Sequence, residues 1–120
     1  MPDVLRSFGH AIDGIVYLLR TQRNVRVHFG AGLLVVVLAA ILGFTALEWA
    51  ILILTIALVL AAEGLNTGIE IAVALASPEQ RPEAKAAKDI AAGVVLLTAI
   101  ASIAIGALLF LPHLQHLFVR

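Results

Sequence analysis

The chain is 120 residues long, 62% hydrophobic and 13% charged, and its eight Lys and Arg balance its eight Asp and Glu. A water-soluble domain of this size could not cover so much apolar surface, and a neutral chain carries no electrostatic footprint for nucleic acid. Cysteine is absent, which excludes a disulfide framework and thiolate metal centres. Apolar tracts of about twenty residues are long enough to cross a hydrocarbon layer of roughly 30 Å. The sequence carries three of them, so it predicts an all-α integral membrane protein.

Leu5, Phe8, Ile12, Ile15, Val16 and Leu19 recur at spacings of three and four. That period predicts an amphipathic surface helix over residues 4–26, too polar to span and too polar for a secretory signal, leading into the bilayer near Val27. The first span is read at 29–47. A turn around Thr45 to Glu48 follows, with Trp49 as an interfacial anchor. The second span, 49–76, would measure about 42 Å as a helix, so its second half should project out of the lipid. Residues 77–89, SPEQRPEAKAAKD, hold two prolines and alternating charge and read as an exposed connection that opens the next helix. The third span is read at 90–111, stopped by Pro112. No internal repeat appears, and the chain reads as one domain, 1–120.

Arg6, Arg20, Arg23, Arg26, Arg81, Lys85 and Lys88 fall on one side of these spans and Arg120 alone on the other. The N-terminus and the second connection are therefore expected in the cytoplasm of a multi-pass protein of the inner (cytoplasmic) membrane. Three spans are too few to enclose a polar site, and Gly64 and Gly68 form a small-xxx-small pair, so a homo-oligomer is expected.

The chemistry is concentrated in AAEGLNTGIEIA, residues 61–72. Glu63 and Glu70 interrupt an apolar helix, where an ionisable group is costly unless it has a partner or a function. Seven residues is nearly two turns, so both carboxylates share a face about 10.5 Å apart along the axis. Asn66 and Thr67 extend the same stripe. A second cluster, Lys85, Lys88 and Asp89, opens the third helix level with Glu70. Lysine suits phosphate, and a carboxylate suits metal or hydrogen bonding. A third run, TQRNVRVH, groups Gln22, Arg23, Asn24, Arg26 and His28; its basic residues fit a topology signal at anionic headgroups, but its amides do not. His113 and His116 read as interfacial imidazoles. No GxxxxGK[ST], HExxH or GxSxG motif is present. A nucleotide-using enzyme would thus hold phosphates through carboxylate-bound magnesium and scattered Lys or Arg, an inventory these clusters supply.

From Phe8 to about Gly106 the sequence resembles the prokaryotic diacylglycerol kinase and undecaprenol kinase family. EGLNTGIE, residues 63–70, is similar to the family signature E-x-x-N-[ST]-x-I-E, and AKDIAAGVVL, residues 87–96, to A-K-D-x-x-[AS]-x-A-V-L. RNVRVH, residues 23–28, is closer to the undecaprenol kinase branch. The resemblance implies a homotrimer of three-span subunits with a surface helix and sites shared between subunits. It implies that Glu63 is the general base for the lipid hydroxyl, with Asn66 orienting it. Glu70 is then the ligand of Mg2+, and Lys88, Asp89, Glu79 and Arg81 the nucleotide-binding residues. Gln22 stands where the family often has a metal-binding Glu, and Ala74 where an Asp is usual.

Residues and resemblance together point to an ATP-dependent lipid kinase that transfers the γ-phosphate of MgATP to diacylglycerol or undecaprenol on the cytoplasmic side. The competing reading is a small oligomeric proton-coupled transporter using Glu63. A transporter has no need of Lys88 or Asp89, and a purely structural subunit explains neither polar cluster.

Overall fold

The computed structural model describes residues 2–119, so Arg120, the single outward charge in the orientation count, lies outside the described residues. Four helices follow one another: α1 (Pro2–Thr21), α2 (Arg23–Leu42), α3 (Ala46–Ala76) and α4 (Pro82–Phe118). α2, α3 and α4 are each long and apolar enough to cross a membrane. α3 is the central element, packed mainly on α4 and less on α2, while α1 packs chiefly against α2.

The surface helix ends earlier than its hydrophobic period suggests. The backbone turns extended at Gln22 (φ −109°, ψ 110°), so Arg23, Asn24, Arg26 and His28 belong to the first turns of the spanning helix. Arg26 holds this bend. Its guanidinium donates to the carbonyls of Leu19 and Arg20, both at 3.0 Å, and so caps the last turn of α1, where unsatisfied acceptors and the helix dipole favour a cation. A residue that the sequence offered as a topology signal is thereby also the joint between surface helix and span.

The reversal between α2 and α3 sits at Gly43 to Thr45, slightly before the expected turn. Gly43 takes the left-handed conformation (φ 75°) that ends α2, a geometry a side chain would strain. Thr45 then starts α3 through a reciprocal capping box: its hydroxyl accepts from the Glu48 backbone N–H at 3.2 Å, and Glu48 Oε1 accepts from the Thr45 N–H at 3.0 Å. The other Glu48 oxygen lies 2.7 Å from His113 Nε2. His113 in turn stacks on Phe44, with ring centroids 4.9 Å apart.

That contact exists because α4 does not stop where proline rules place its end. The helix continues through Pro112 to Phe118. Proline forfeits the hydrogen bond to the carbonyl of Leu108, yet the continuation carries His113 to Glu48. Phe44, Ala39, Leu52 and Leu109 form the apolar cluster beneath.

Close approach elsewhere depends on small residues. A Cβ on Gly32 would lie 3.3 Å from Ile56 Cγ2, and one on Gly64 would lie 3.2 Å from Leu18 Cδ1. Gly64 thus admits α1 onto α3 within the subunit, while the space around Gly68 is open. Among the described residues no large side chain is fully buried, and Phe8, Ile12, Leu34, Leu58, Leu97 and Ile103 are exposed. Such a surface suits lipid or further subunits, not water.

Candidate functional site

The inner half of α3 presents its polar residues in two directions. Glu63 is 4% exposed, and its Oε1 lies 3.1 Å from Nε2 of His28 on α2. Thr67, equally buried, donates its hydroxyl to the Glu63 backbone carbonyl at 3.1 Å, which satisfies the hydroxyl without engaging the carboxylate. Asn66 turns the other way. Its Nδ2 donates to Glu70 Oε1 at 3.3 Å, and its Oδ1 is buried with no hydrogen-bond partner among the described residues. Neighbouring residues on a helix differ by roughly 100°, so Asn66 and Thr67 flank the Glu63–Glu70 line on opposite sides. The single stripe seen in the sequence is an arc wide enough to serve two neighbours. Asn66, set beside Glu63 by resemblance, reaches Glu70 in this arrangement.

Glu70 opens onto a cleft of about 700 Å³ between the end of α3 and the start of α4, which Glu79, Arg81, Lys85, Lys88 and Asp89 also line. The connection that closes its end is short and tied to itself. Ser77 Oγ donates to the Glu79 carbonyl at 2.6 Å, and the Arg81 N–H donates to the same oxygen at 2.9 Å. Pro82 then begins α4 at a position where a missing N–H costs nothing. Along α4, Lys85 Nζ lies 2.6 Å from Asp89 Oδ2. Lys85 precedes the apolar stretch that begins at Ile90, and the Asp89 carboxylate, through its hydrogen bond and its charge, holds the ammonium pKa above the usual lysine range. Lys88 enters no ion pair among the described residues. The cleft therefore combines three carboxylates with three cations at the polar end of two apolar helices.

This donor set is compatible with a hard divalent cation accompanying a polyphosphate. No three His, Asp or Glu side chains converge tightly enough to form a closed cage among the described residues. Magnesium seldom asks for one: it keeps several waters and takes one or two carboxylates together with phosphate oxygens. The cleft offers three carboxylates for such a role, Glu70, Glu79 and Asp89. Gln22 stands apart. It is the N-terminal cap residue of α2, its Nε2 lies 3.3 Å from Thr21 Oγ1, and it is not among the residues lining the cleft.

Two contacts escaped the sequence reading, His28 with Glu63 and Glu48 with His113. Each joins residues on different helices, which no periodicity can signal. The one available hint for His28 was a polar side chain in the second turn of a long apolar helix.

Residues 9–110 match the family described as prokaryotic diacylglycerol kinase. A diacylglycerol kinase of Synechocystis sp. is 44% identical over 119 residues, covering 98% of this chain and 68% of that protein. An undecaprenol kinase of Bacillus subtilis is 42% identical over 109 residues, covering 91% of this chain and 89% of the relative. The match to the family extends over both arms of the cleft and the helices that carry them, and on this evidence the chain belongs to the prokaryotic diacylglycerol kinase family.

Proposed function

We propose that this membrane-embedded lipid kinase moves the γ-phosphate of ATP onto the hydroxyl of diacylglycerol or undecaprenol. Glu63 acts as general base. The observation that carries the reading is the pairing of a buried carboxylate, Glu63, with a cleft of carboxylates and cations about 10.5 Å further along the same helix. A lipid alcohol reaches the first from the membrane. A soluble nucleotide reaches the second from the cytoplasm.

In the reaction, Glu63 takes the proton of the lipid hydroxyl as its oxygen bonds to the γ-phosphorus. The bond from that phosphorus to the bridging oxygen breaks, and ADP leaves with the electron pair. Lys88 and Arg81 draw the phosphate oxygens into the cleft, Asp89 steers Lys85, and Glu79 shapes the connection over the nucleotide. Glu70, steadied by Asn66, would hold Mg2+, which when bound neutralises phosphate charge. Phosphoryl transfer asks for positioning and charge neutralisation above all, and these groups provide both.

A homotrimer in the cytoplasmic membrane, with the cleft on the cytoplasmic side, accords with the exposed apolar surface and with the partly exposed polar arc of α3. The buried, unpartnered Asn66 Oδ1 also favours a site that a ligand or a second subunit completes, because a buried acceptor without a donor is costly.

The test is purified protein in mixed micelles with radiolabelled ATP, undecaprenol and diacylglycerol being offered in competition. Label in the extracted lipid is expected, and its partition between the two alcohols names the substrate. Absence of label with both lipids, together with proton-coupled uptake in vesicles, would replace the kinase by the transporter.

A further inference from the structure

His28 lies in the second turn of α2, half-buried, with Nε2 3.1 Å from Glu63 Oε1. Among the described residues no other side chain lies within ion-pairing distance of the Glu63 carboxylate. A carboxylate only 4% exposed in an apolar helix calls for a donor or a positive charge, and the His28 imidazole is the group that stands beside it. It faces Oε1 alone.

The imidazole has a second neighbour. It borders an apolar cavity of about 180 Å³ between α2, α3 and α4, along with Gly32, Leu52, Ile56 and Phe110. Thr55 and Ser102 also line that cavity, but their hydroxyls donate to Ile51 and Ala99 carbonyls of their own helices, both at 2.7 Å. His28 is thus the one polar lining side chain not bonded back to its own helix. It stands where an apolar enclosure meets a buried carboxylate.

We infer that His28 is the positioning residue of the base: by facing Oε1 it fixes the rotation of the Glu63 carboxylate and directs Oε2 to the lipid hydroxyl. This rests on the reading of Glu63 as general base. Proton transfer needs the acceptor within hydrogen-bond reach of the hydroxyl, and a carboxylate free to rotate would spend much of its time misdirected. The Nε2–H edge is what matters, so glutamine, whose terminal amide reaches a similar point, should substitute in part. An alkyl or aromatic side chain should not.

The experiment measures kcat and lipid KM at saturating ATP for the intact reconstituted enzyme carrying His28→Leu, His28→Phe or His28→Gln, with Glu63→Gln as the control. His28→Leu and His28→Phe are expected to lower kcat about tenfold or more with lipid KM nearly unchanged, because misplacement of a reacting group by about 1 Å costs on that order or beyond. His28→Gln should recover most of the loss. A normal kcat in both donor-free variants, an effect confined to KM, or a glutamine variant no better than leucine would each overturn the inference. Should His28→Leu fail to fold, the infrared carboxylate stretch of Glu63, identified by its loss in Glu63→Gln, gives a separate readout. It should shift in His28→Phe, and an unmoved band would overturn the assignment. The two readings fail separately. Near-normal turnover in Glu63→Gln removes the base itself, whereas an inactive Glu63→Gln beside fully active His28 variants removes only the role of His28.

Discussion

Glu63→Gln is the most demanding test of the proposed chemistry, because it alters the base while leaving its surroundings almost untouched. Glutamine keeps the length of the side chain and an oxygen that can face His28 across the 3.1 Å contact between α2 and α3. The negative charge and the proton acceptor disappear. General-base catalysis contributes about 10²–10⁴-fold, which at about 1.4 kcal/mol per tenfold is about 3–5 kcal/mol of transition-state stabilisation. Turnover should accordingly fall at least about a hundredfold. Stability should hold, since Glu63 is 4% exposed and an uncharged amide is easier to bury than a carboxylate. Glu63→Ala should behave differently: it leaves His28 without its partner and opens a void beside α2, so both activity and thermal stability drop. Initial rates of label transfer into extracted lipid, with size-exclusion profile and unfolding temperature in the same detergent, separate the two cases. A well-folded Glu63→Gln protein with turnover within a factor of about ten of the parent would refute the argument.

Gln22 does not line the cleft of its own subunit, so Gln22→Glu should lower the magnesium concentration needed for half-maximal activity only if a neighbouring subunit's cleft takes it as a ligand, where an amide oxygen brings no charge and a carboxylate would; Glu70→Gln should nearly abolish activity. Magnesium titrations read both, and an unchanged midpoint in Gln22→Glu would take Gln22 out of the metal shell. Gly64→Ala should be tolerated, since the atom a Cβ would meet at 3.2 Å is the mobile end of Leu18. Gly64→Leu overfills the contact, and such overpacking costs about 1–3 kcal/mol; spin labels on Gly14 and Ile71 should move apart, and an unchanged distance would contradict the packing of α1 on α3. Glu48→Ala keeps the Thr45 cap on the backbone N–H of residue 48 but removes the reciprocal half of the capping box and the partner of His113, for an expected loss of about 1–3 kcal/mol in thermal unfolding. Activity well below the unfolding temperature should be unaffected, because Glu48 lies at the opposite end of α3 from the cleft.

Hydrophobic period and tract length made the helices legible before any coordinates. Leu5, Phe8, Ile12 and Ile15 announced a surface helix and the long apolar runs announced three spans, because burial in lipid or at its surface writes itself directly into residue spacing. The joints were less legible. Gln22 carries none of the usual Gly, Pro or Asp signals, and the bend there depends on Arg26 reaching back to α1, a tertiary contact. Pro112 misled in the opposite sense: it ordinarily closes a helix, yet α4 runs on to Phe118. At the site, the motif from Glu63 to Glu70 could be found by spacing, since it lies within two turns of one helix, whereas Lys88 and Asp89 stand out from the charged start of α4 by resemblance to the family stretch. Predicted depth already sets Asp89 level with Glu70, and the short connection between Ser77 and Arg81 brings both onto one cleft. The contact of His28 with Glu63 needs the register of α2 against α3, which is set by close approach at Gly32 and leaves no mark in local sequence.

The capping box at Thr45 bears on the order in which the chain assembles. Both of its halves lie within four residues, directly after the glycine that ends α2, so the hairpin of the first two spans holds its own reversal as soon as those residues leave the ribosome. The remaining Glu48 oxygen waits for His113, which is made 65 residues later. Until then the carboxylate keeps its second oxygen without this partner. The last helix therefore docks onto a finished reversal, and the histidine beyond Pro112 closes a latch that the first hairpin has already presented.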